Sequence, residues 1–176
     1  IRYSVASRGL GDVYKRQVIG GGVIGCSVAY HLTKFGWKDV VLLERDQLTS
    51  GTTWHAAGLV SQLGPSAAVT KIRKYTLDLY ENLEKEVDHS AGLRLNGALS
   101  IAQTDSRWQE LKRQATTAQL YDVNLSILNK DEIKKKYQMM STEDLKGGVF
   151  MPGDGSADPS GVTHMLAKGA RKGGAK

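Results

Sequence analysis

The sequence predicts an α/β fold: a Rossmann-like βαβ unit followed by the beginning of an α+β domain. Three observations carry it. A G-x-G-x-x-G turn, written GGGVIG, joins the apolar end Val18-Ile19 to an amphipathic stretch with helical spacing. A short apolar run, Asp39–Leu43, follows that stretch and stops at an acid, Glu44. Beyond residue 60, amphipathic helical patterns alternate with short apolar runs bounded by turn residues.

Each part of Val18–Gly58 has a physical reason. Gly20 permits the tight turn, Gly22 lets the backbone approach a pyrophosphate, and Gly25 allows the helix to pack closely on the strands. Val23 and Ile24 lie between the last two glycines, where helix-terminal amides and the helix dipole favour an anion. Ile24, Val28, Leu32 and Phe35 form the expected inward stripe of that helix, and Gly36 is its stop signal. DVVLL reads as a strand buried on both faces, as in a parallel sheet. Glu44, 24 residues after Gly20, stands where an acid accepts hydrogen bonds from an adenosine ribose. Arg45 either helps to hold the nucleotide or faces solvent. The pattern alone does not separate NAD from FAD. The next segment, Ser50-Gly51-Thr52-Thr53-Trp54-His55-Ala56-Ala57-Gly58, is dense in small residues and backbone donors suited to a second phosphate or a flavin.

Composition excludes other classes. The net charge is +6, but the excess sits at the two ends: Arg2, Arg8, Lys15 and Arg16 face only Asp12, and Lys168, Arg171, Lys172 and Lys176 face no acid. A nucleic-acid binder would carry its basic patch on the folded body, so no nucleic-acid partner is expected. No apolar run approaches the roughly 20 residues of a membrane span. Cys26 is the only cysteine, which rules out an intramolecular disulfide, and it reads as a small buried hydrophobe. The four histidines and this cysteine show no metal-ligand spacing, so no metal is expected.

The rest of the chain follows in order. Ala67–Val87 is a helix with an inward stripe of Val69, Ile72, Thr76, Leu79, Leu83 and Val87, its charges forming a solvated face. Leu93–Ala102 is a strand or bent hairpin, with Asn96-Gly97 as turn or bulge. A third helix is capped by Thr104 or Asp105 and faces Trp108, Leu111, Ala115 and Ala118 inward. Leu125–Leu128 is a short strand, Asn129 caps a small helix through Tyr137, and Lys134-Lys135-Lys136 is its exposed face. Gly147–Met151 is a strand. Pro152–Pro159 is read as a turn into a final helix, capped by Asp158 or Ser160 and stopped at Gly173-Gly174. His31 and His164 are read as helix residues without partners, and His89 as a charge complement at a helix end.

Residues 1–17 place the polar Lys15-Arg16-Gln17 where a nucleotide-binding strand should be apolar, and no signal-peptide core precedes them. They are expected to be a non-native or disordered leader, with a transit-peptide remnant as the alternative. After Gly174 an alternating α/β chain should continue into a strand, so the chain is read as truncated. One domain runs roughly 100–200 residues, and a two-domain flavoenzyme needs about twice this chain's 176.

Three segments carry a family resemblance. TWHAAG (Thr53–Gly58) and the later GALSIA and GDGSADP elements resemble the dimethylglycine dehydrogenase and sarcosine dehydrogenase family, within the D-amino-acid-oxidase-like superfamily. The resemblance implies FAD, held covalently through His55, and oxidation of the N-methyl group of a small amino acid by hydride transfer to the flavin. A histidine without context is more often structural; within this motif His55 is read as the attachment residue, with Trp54 packing beside the cofactor. The expected cofactor contacts are therefore Gly20, Gly22, Val23, Ile24, Gly25, Glu44, Arg45, Ser50, Gly51, Thr52, Thr53, His55, Ala56 and Gly58. Catalytic and substrate-holding residues are expected later in the parent chain, as is any tetrahydrofolate-binding domain. Electrons would pass to an electron-transfer flavoprotein or to oxygen. The implied domains are 18–92 in the FAD-binding domain, 93–151 in the substrate domain and 152–176 back in the first. The implied compartment is the cytoplasm for a bacterial source and the mitochondrial matrix for a eukaryotic one. Two rivals remain: a noncovalent FAD amine or D-amino-acid oxidase, and a nucleotide-binding scaffold without redox activity.

Overall fold

In a computed structural model of the protein, the described residues are 16–176. The expectation of a leader over 1–17 lies outside the described residues except at its last two positions. The elements are β1 (Arg16–Ile19), α1 (Val23–Lys34), β2 (Val40–Leu43), a 3₁₀ turn (Thr53–His55), β3 (Leu59–Val60), α2 (Ala67–Val87) and β4 (Ala98–Ala102). They continue with α3 (Asp105–Gln119), β5 (Ser126–Leu128), α4 (Lys130–Lys136), β6 (Gly147–Met151), β7 (Gly155–Ser156) and α5 (Pro159–Lys172). The chain divides into two compact units. One runs to Gly58 and takes up Leu79–Leu93 and Ala157–Lys176; the other comprises Leu59–Asp78 and Arg94–Ser156. Residues 59–78 thus group with 94–156, whereas the domain expectation placed them with 18–92.

In the first unit β1 and β2 pair in parallel, from Arg16 opposite Val40 to Ile19 opposite Leu43. Arg16 and Gln17 therefore belong to the strand, a correction to the reading that began it at Val18. Polar residues are tolerated there because Arg16 finds local partners: its guanidinium donates to Lys38 O at 3.2 Å and lies 4.3 Å over the Trp37 ring. Lys176 lies along β2, donating to Val40 O at 3.0 Å and accepting from Leu42 N–H at 2.8 Å. Val40 and Val41 are buried, but Leu43 is exposed, so DVVLL is not covered along its whole length.

The inward face of α1 also departs from expectation. It buries Cys26, Ala29 and Tyr30, while Ile24 and Phe35 are 79% and 72% exposed and Val28 is exposed too. The reason is the partner. α5 presents Gly169 to the Tyr30 ring so closely that a Cβ at 169 would stand 2.8 Å from it. Such an approach needs small side chains, and Cys26 and Ala29 provide them. Leu79, Leu83 and Val87 of α2 are buried as read, with Val162, Met165, Leu166 and Ala170 of α5 completing this core.

The second unit holds an antiparallel sheet in the order β4-β6-β5 and a small antiparallel pair, β3 with β7. Its core is Ala102, Leu111 and Val149, with Trp108 and Leu125 packed against it. Leu111, Ala115 and Ala118 are buried as read, and Thr104 caps α3 by accepting from Arg107 N–H at 3.2 Å. Asn129 caps α4 in a reciprocal capping box with Glu132, and Lys134–Lys136 are exposed. The strand expected over Leu93–Ala102 is β4 alone, and Asn96-Gly97 precedes it as irregular chain in which Gly97 has φ 84° and donates its N–H to Asp154 O at 2.8 Å.

One reading in this unit is extended and another overturned. The Pro152–Pro159 segment, read as a turn into a helix, does turn at Pro152-Gly153 but also contains β7, whose Ser156 pairs with Leu59 and bridges to Arg94. On the first half of α2, Ile72 is 64% exposed and the inward positions are Thr70 and Leu77. That half turns its polar residues onto a loop. Thr70 Oγ1 accepts from Gly64 N–H at 3.0 Å, Arg73 donates to Ser61 Oγ and Leu63 O, and Lys74 donates to Tyr121 O at 2.8 Å. Arg73 and Lys74 are consequently bound to backbone rather than part of a solvated face.

Candidate cofactor site

The site is built where β1 turns into α1. Gly20 makes the turn at φ +110° with its N–H on Leu43 O at 2.8 Å. A Cβ on Gly25 would collide with the Gly20 carbonyl oxygen, so the third glycine permits the close packing expected of it. The second glycine has a different neighbour. A Cβ on Gly22 would stand 2.9 Å from Thr53 Oγ1, so the room above Gly22 is occupied by a hydroxyl of this chain.

Thr53 Oγ1 accepts from Val23 N–H at 3.1 Å. The first intrahelical bond runs from Cys26 N–H to Gly22 O at 3.0 Å. By helix geometry the Ile24 and Gly25 amides therefore have no carbonyl one turn back, and they stand at the positive end of the helix. Such a donor set suits an anionic oxygen.

Glu44 closes the site on the strand side. Its carboxylate accepts from Gly21 N–H at 2.6 Å and from Asp46 N–H at 3.1 Å. These backbone donors, Gly21 first, hold its carboxyl below the usual range. A carboxylate has about four acceptor positions, so two bonds leave capacity for ribose hydroxyls. A cavity of about 410 Å³ opens beside it, lined by Gly20, Glu44, Arg45, Ser50 and Gly51 together with the exposed ends of both strands. Five of the expected contacts thus converge on one concavity, and Arg45 is among them.

The segment carrying His55 is tied to the same turn. Thr49 N–H donates to Gly21 O at 3.1 Å, Thr53 takes the Val23 amide, and Gly58 O accepts from Ala157 N–H at 2.8 Å. Between these anchors Thr52 O accepts from His55 N–H and Thr53 O from Ala56 N–H, both at 3.1 Å, closing the 3₁₀ turn. Thr52, Trp54, His55 and Ala56 are exposed, and the Trp54 and His55 rings lie 3.9 Å apart, tilted by 41°. His55 does not line the cavity; it stands at the far end of the segment whose start, Ser50-Gly51, does.

Other titratable groups read as structural. Cys26 is buried, and desolvation pushes its thiol up to about 11. Asp158 caps α5 by accepting from Ser160 and Gly161 N–H, at 3.2 and 2.9 Å. Two histidines read as lacking partners have them: His31 Nδ1 lies 2.7 Å from Ser27 O, and the His164 ring is 6.3 Å from that of His89. No metal-binding group occurs among the described residues, and none of their helices is long and apolar enough to cross a membrane. Sequence reasoning missed Asp154, buried in the second unit, with Oδ1 accepting from Gln62 N–H at 2.8 Å and Oδ2 without a partner. It also missed what Thr49 and Thr53 hold. Their partners lie in the glycine turn, and no local pattern announces such pairing.

A parallel strand pair, a glycine turn opening a helix and an acid at the second strand's tip define a nucleotide-binding α/β unit of the dinucleotide type. The family profile described as "FAD dependent oxidoreductase" matches residues 17–176. The chain belongs to the FAD-dependent oxidoreductase family. It is 40% identical over 161 residues to mitochondrial dimethylglycine dehydrogenase of Rattus norvegicus, covering 92% of this chain and 19% of that protein. It is 41% identical over 171 residues to mitochondrial sarcosine dehydrogenase of Homo sapiens, covering 97% and 19%. Among solved structures, L-proline dehydrogenase from P. horikoshii superposes with a TM-score of 0.83 at 26% identity, over 91% of this chain and 42% of that one. The chain thus spans about a fifth of the length of the curated relatives it matches.

Proposed function

We propose that the protein is an FAD-dependent amine dehydrogenase or oxidase acting on the N-methyl group of a small amino acid, of the sarcosine or dimethylglycine type. This chain supplies the adenosine and pyrophosphate half of its cofactor site and the residue that anchors the flavin. The observation carrying the reading is the fastening of the His55 segment to the glycine turn, through Thr49 on Gly21 and Thr53 on Val23. The dehydrogenase names of relatives about 40% identical support the substrate class.

In this reading the Ile24 and Gly25 amides hold a phosphate oxygen, Glu44 accepts from the ribose, and Arg45, Ser50 and Gly51 line the adenosine cavity. Bound flavin supplies the hydride acceptor for the N-methyl carbon. His55 would hold the flavin through its imidazole nitrogen, with Thr53 fastening the segment that carries it to the turn at Val23. Electrons from turnover go to an electron-transfer flavoprotein or to oxygen, and tetrahydrofolate captures the one-carbon product. For a eukaryotic source we place the protein in the mitochondrial matrix, following the names of its relatives.

Acid precipitation of the purified full-length protein tests the reading. Flavin fluorescence is expected to stay with the polypeptide, to disappear in His55→Ala, and to accompany oxidation of sarcosine or dimethylglycine with an artificial acceptor. Flavin released intact by acid would instead mark a noncovalent oxidase, and a colourless protein unable to take up FAD would mark a scaffold.

A further inference from the structure

Thr53 is placed to do more than fill space beside the cofactor. Its hydroxyl binds the Val23 amide across 30 residues of sequence and occupies the room left by the missing Cβ of Gly22. It also opens the 3₁₀ turn that ends at His55. That turn is closed by two 3.1 Å backbone bonds, which tie the His55 and Ala56 backbone to Thr52 and Thr53. The neighbouring anchors of the segment, Thr49 and Gly58, are backbone groups four and three residues from Thr53 or His55 along the chain. The Thr53 hydroxyl is a side-chain anchor two residues from the imidazole.

We infer that Thr53 is a positioning residue, which sets the His55 ring relative to the amides that open α1. The nucleophile and the phosphate cradle are then held in one frame, and the nucleotide that docks on α1 brings its flavin to an imidazole already aimed. This rests on the reading that the site holds FAD and that His55 is its attachment residue. A purely structural hydroxyl would affect stability and nucleotide affinity together. A positioning hydroxyl affects the attachment step at saturating FAD, where misplacement by about an ångström costs up to about a hundredfold in rate.

The test compares Thr53→Val with Thr53→Ser in the full-length protein. In apoprotein, amide exchange at Val23 should quicken in the valine variant and stay protected in the serine variant. In a His55→Ala background, where nothing is attached, FAD affinity should change by no more than about threefold with Thr53→Val, since the Ile24 and Gly25 amides remain. In the His55 protein, apoprotein mixed with saturating FAD should acquire acid-stable flavin at least about tenfold more slowly with valine, and serine should restore the rate. Attachment by the valine variant at the wild-type rate overturns the inference. So does a slowing that saturating FAD abolishes, which would make Thr53 an affinity residue. Should the valine variant not accumulate as folded protein, Thr53→Ala decides by the same outcomes. Wild-type protein that releases all its flavin in acid overturns the attachment reading itself, a result separable from any difference between the variants.

Discussion

Three side chains set how individual groups respond to pH and to chemical probes. Backbone donors hold the Glu44 carboxyl below the ordinary range, so its contribution to folding is fully present above the unfolded carboxyl's pKa. It is lost as pH falls through the depressed folded value. Glu44→Gln is expected to flatten the acid limb of stability, read as urea midpoints between neutral and acid pH. Asp154 has the opposite sign. Desolvation raises its carboxyl, so the folded state prefers the protonated form and stability declines as pH rises from the unfolded pKa to the folded one. Asp154→Asn keeps an acceptor for Gln62 N–H and should remove that decline. Asp154→Ala strands the amide and should cost about 1–3 kcal/mol in denaturant titration. Cys26, with its thiol near 11, is expected to react with disulfide reagents at pH 8 only after unfolding, because about one thiol in a thousand is ionised in the folded state.

Among the elements, what was legible in the sequence was what local physics decides. Asn129 could be named as a cap, and Thr104 as one of two candidates with Asp105, because a cap side chain satisfies amides two or three residues away, and Asn129 does so with its capping box complete. Asn129→Ala should lower stability by about 1 kcal/mol, measurable by thermal or chemical unfolding. Leu111, wholly buried against Ala102 and Val149, should cost about 2–5 kcal/mol as Leu111→Ala. Faces chosen by distant partners were not legible. The spacing of Ile24, Val28, Leu32 and Phe35 picks the most apolar stripe of α1, but close approach to Gly169 rewards the small residues on another side. β3 and β7 are two residues each, too short for alternation to show, and they exist because Leu59 and Ser156 meet.

On the scale of the whole molecule, the candidate nucleotide site was readable because most of its proposed parts lie within residues 20–58, and the glycines, the acid and the histidine are residue types suited to the duties proposed for them. Thr53 carried no such mark; its duty is defined by Val23. FAD binding should stabilise the unit that contains Gly20–Gly58, by about 2.7 kcal/mol at a hundred times the dissociation constant. Amide exchange should slow chiefly at 20–25 and 44–58, with less change along the β4-β6-β5 sheet. Trp54 adds a consequence of its own. Its indole is 58% exposed, and its centroid lies 3.9 Å from that of the ring proposed to carry the flavin. Indole emission overlaps the absorption of oxidised flavin, so energy transfer to a flavin on His55 would darken this tryptophan. Trp37 and Trp108 lie outside that segment and would keep more of their light. The protein would then report its own cofactor loading in a fluorimeter, and a Trp54→Phe variant would silence the gauge while leaving an aromatic ring beside His55.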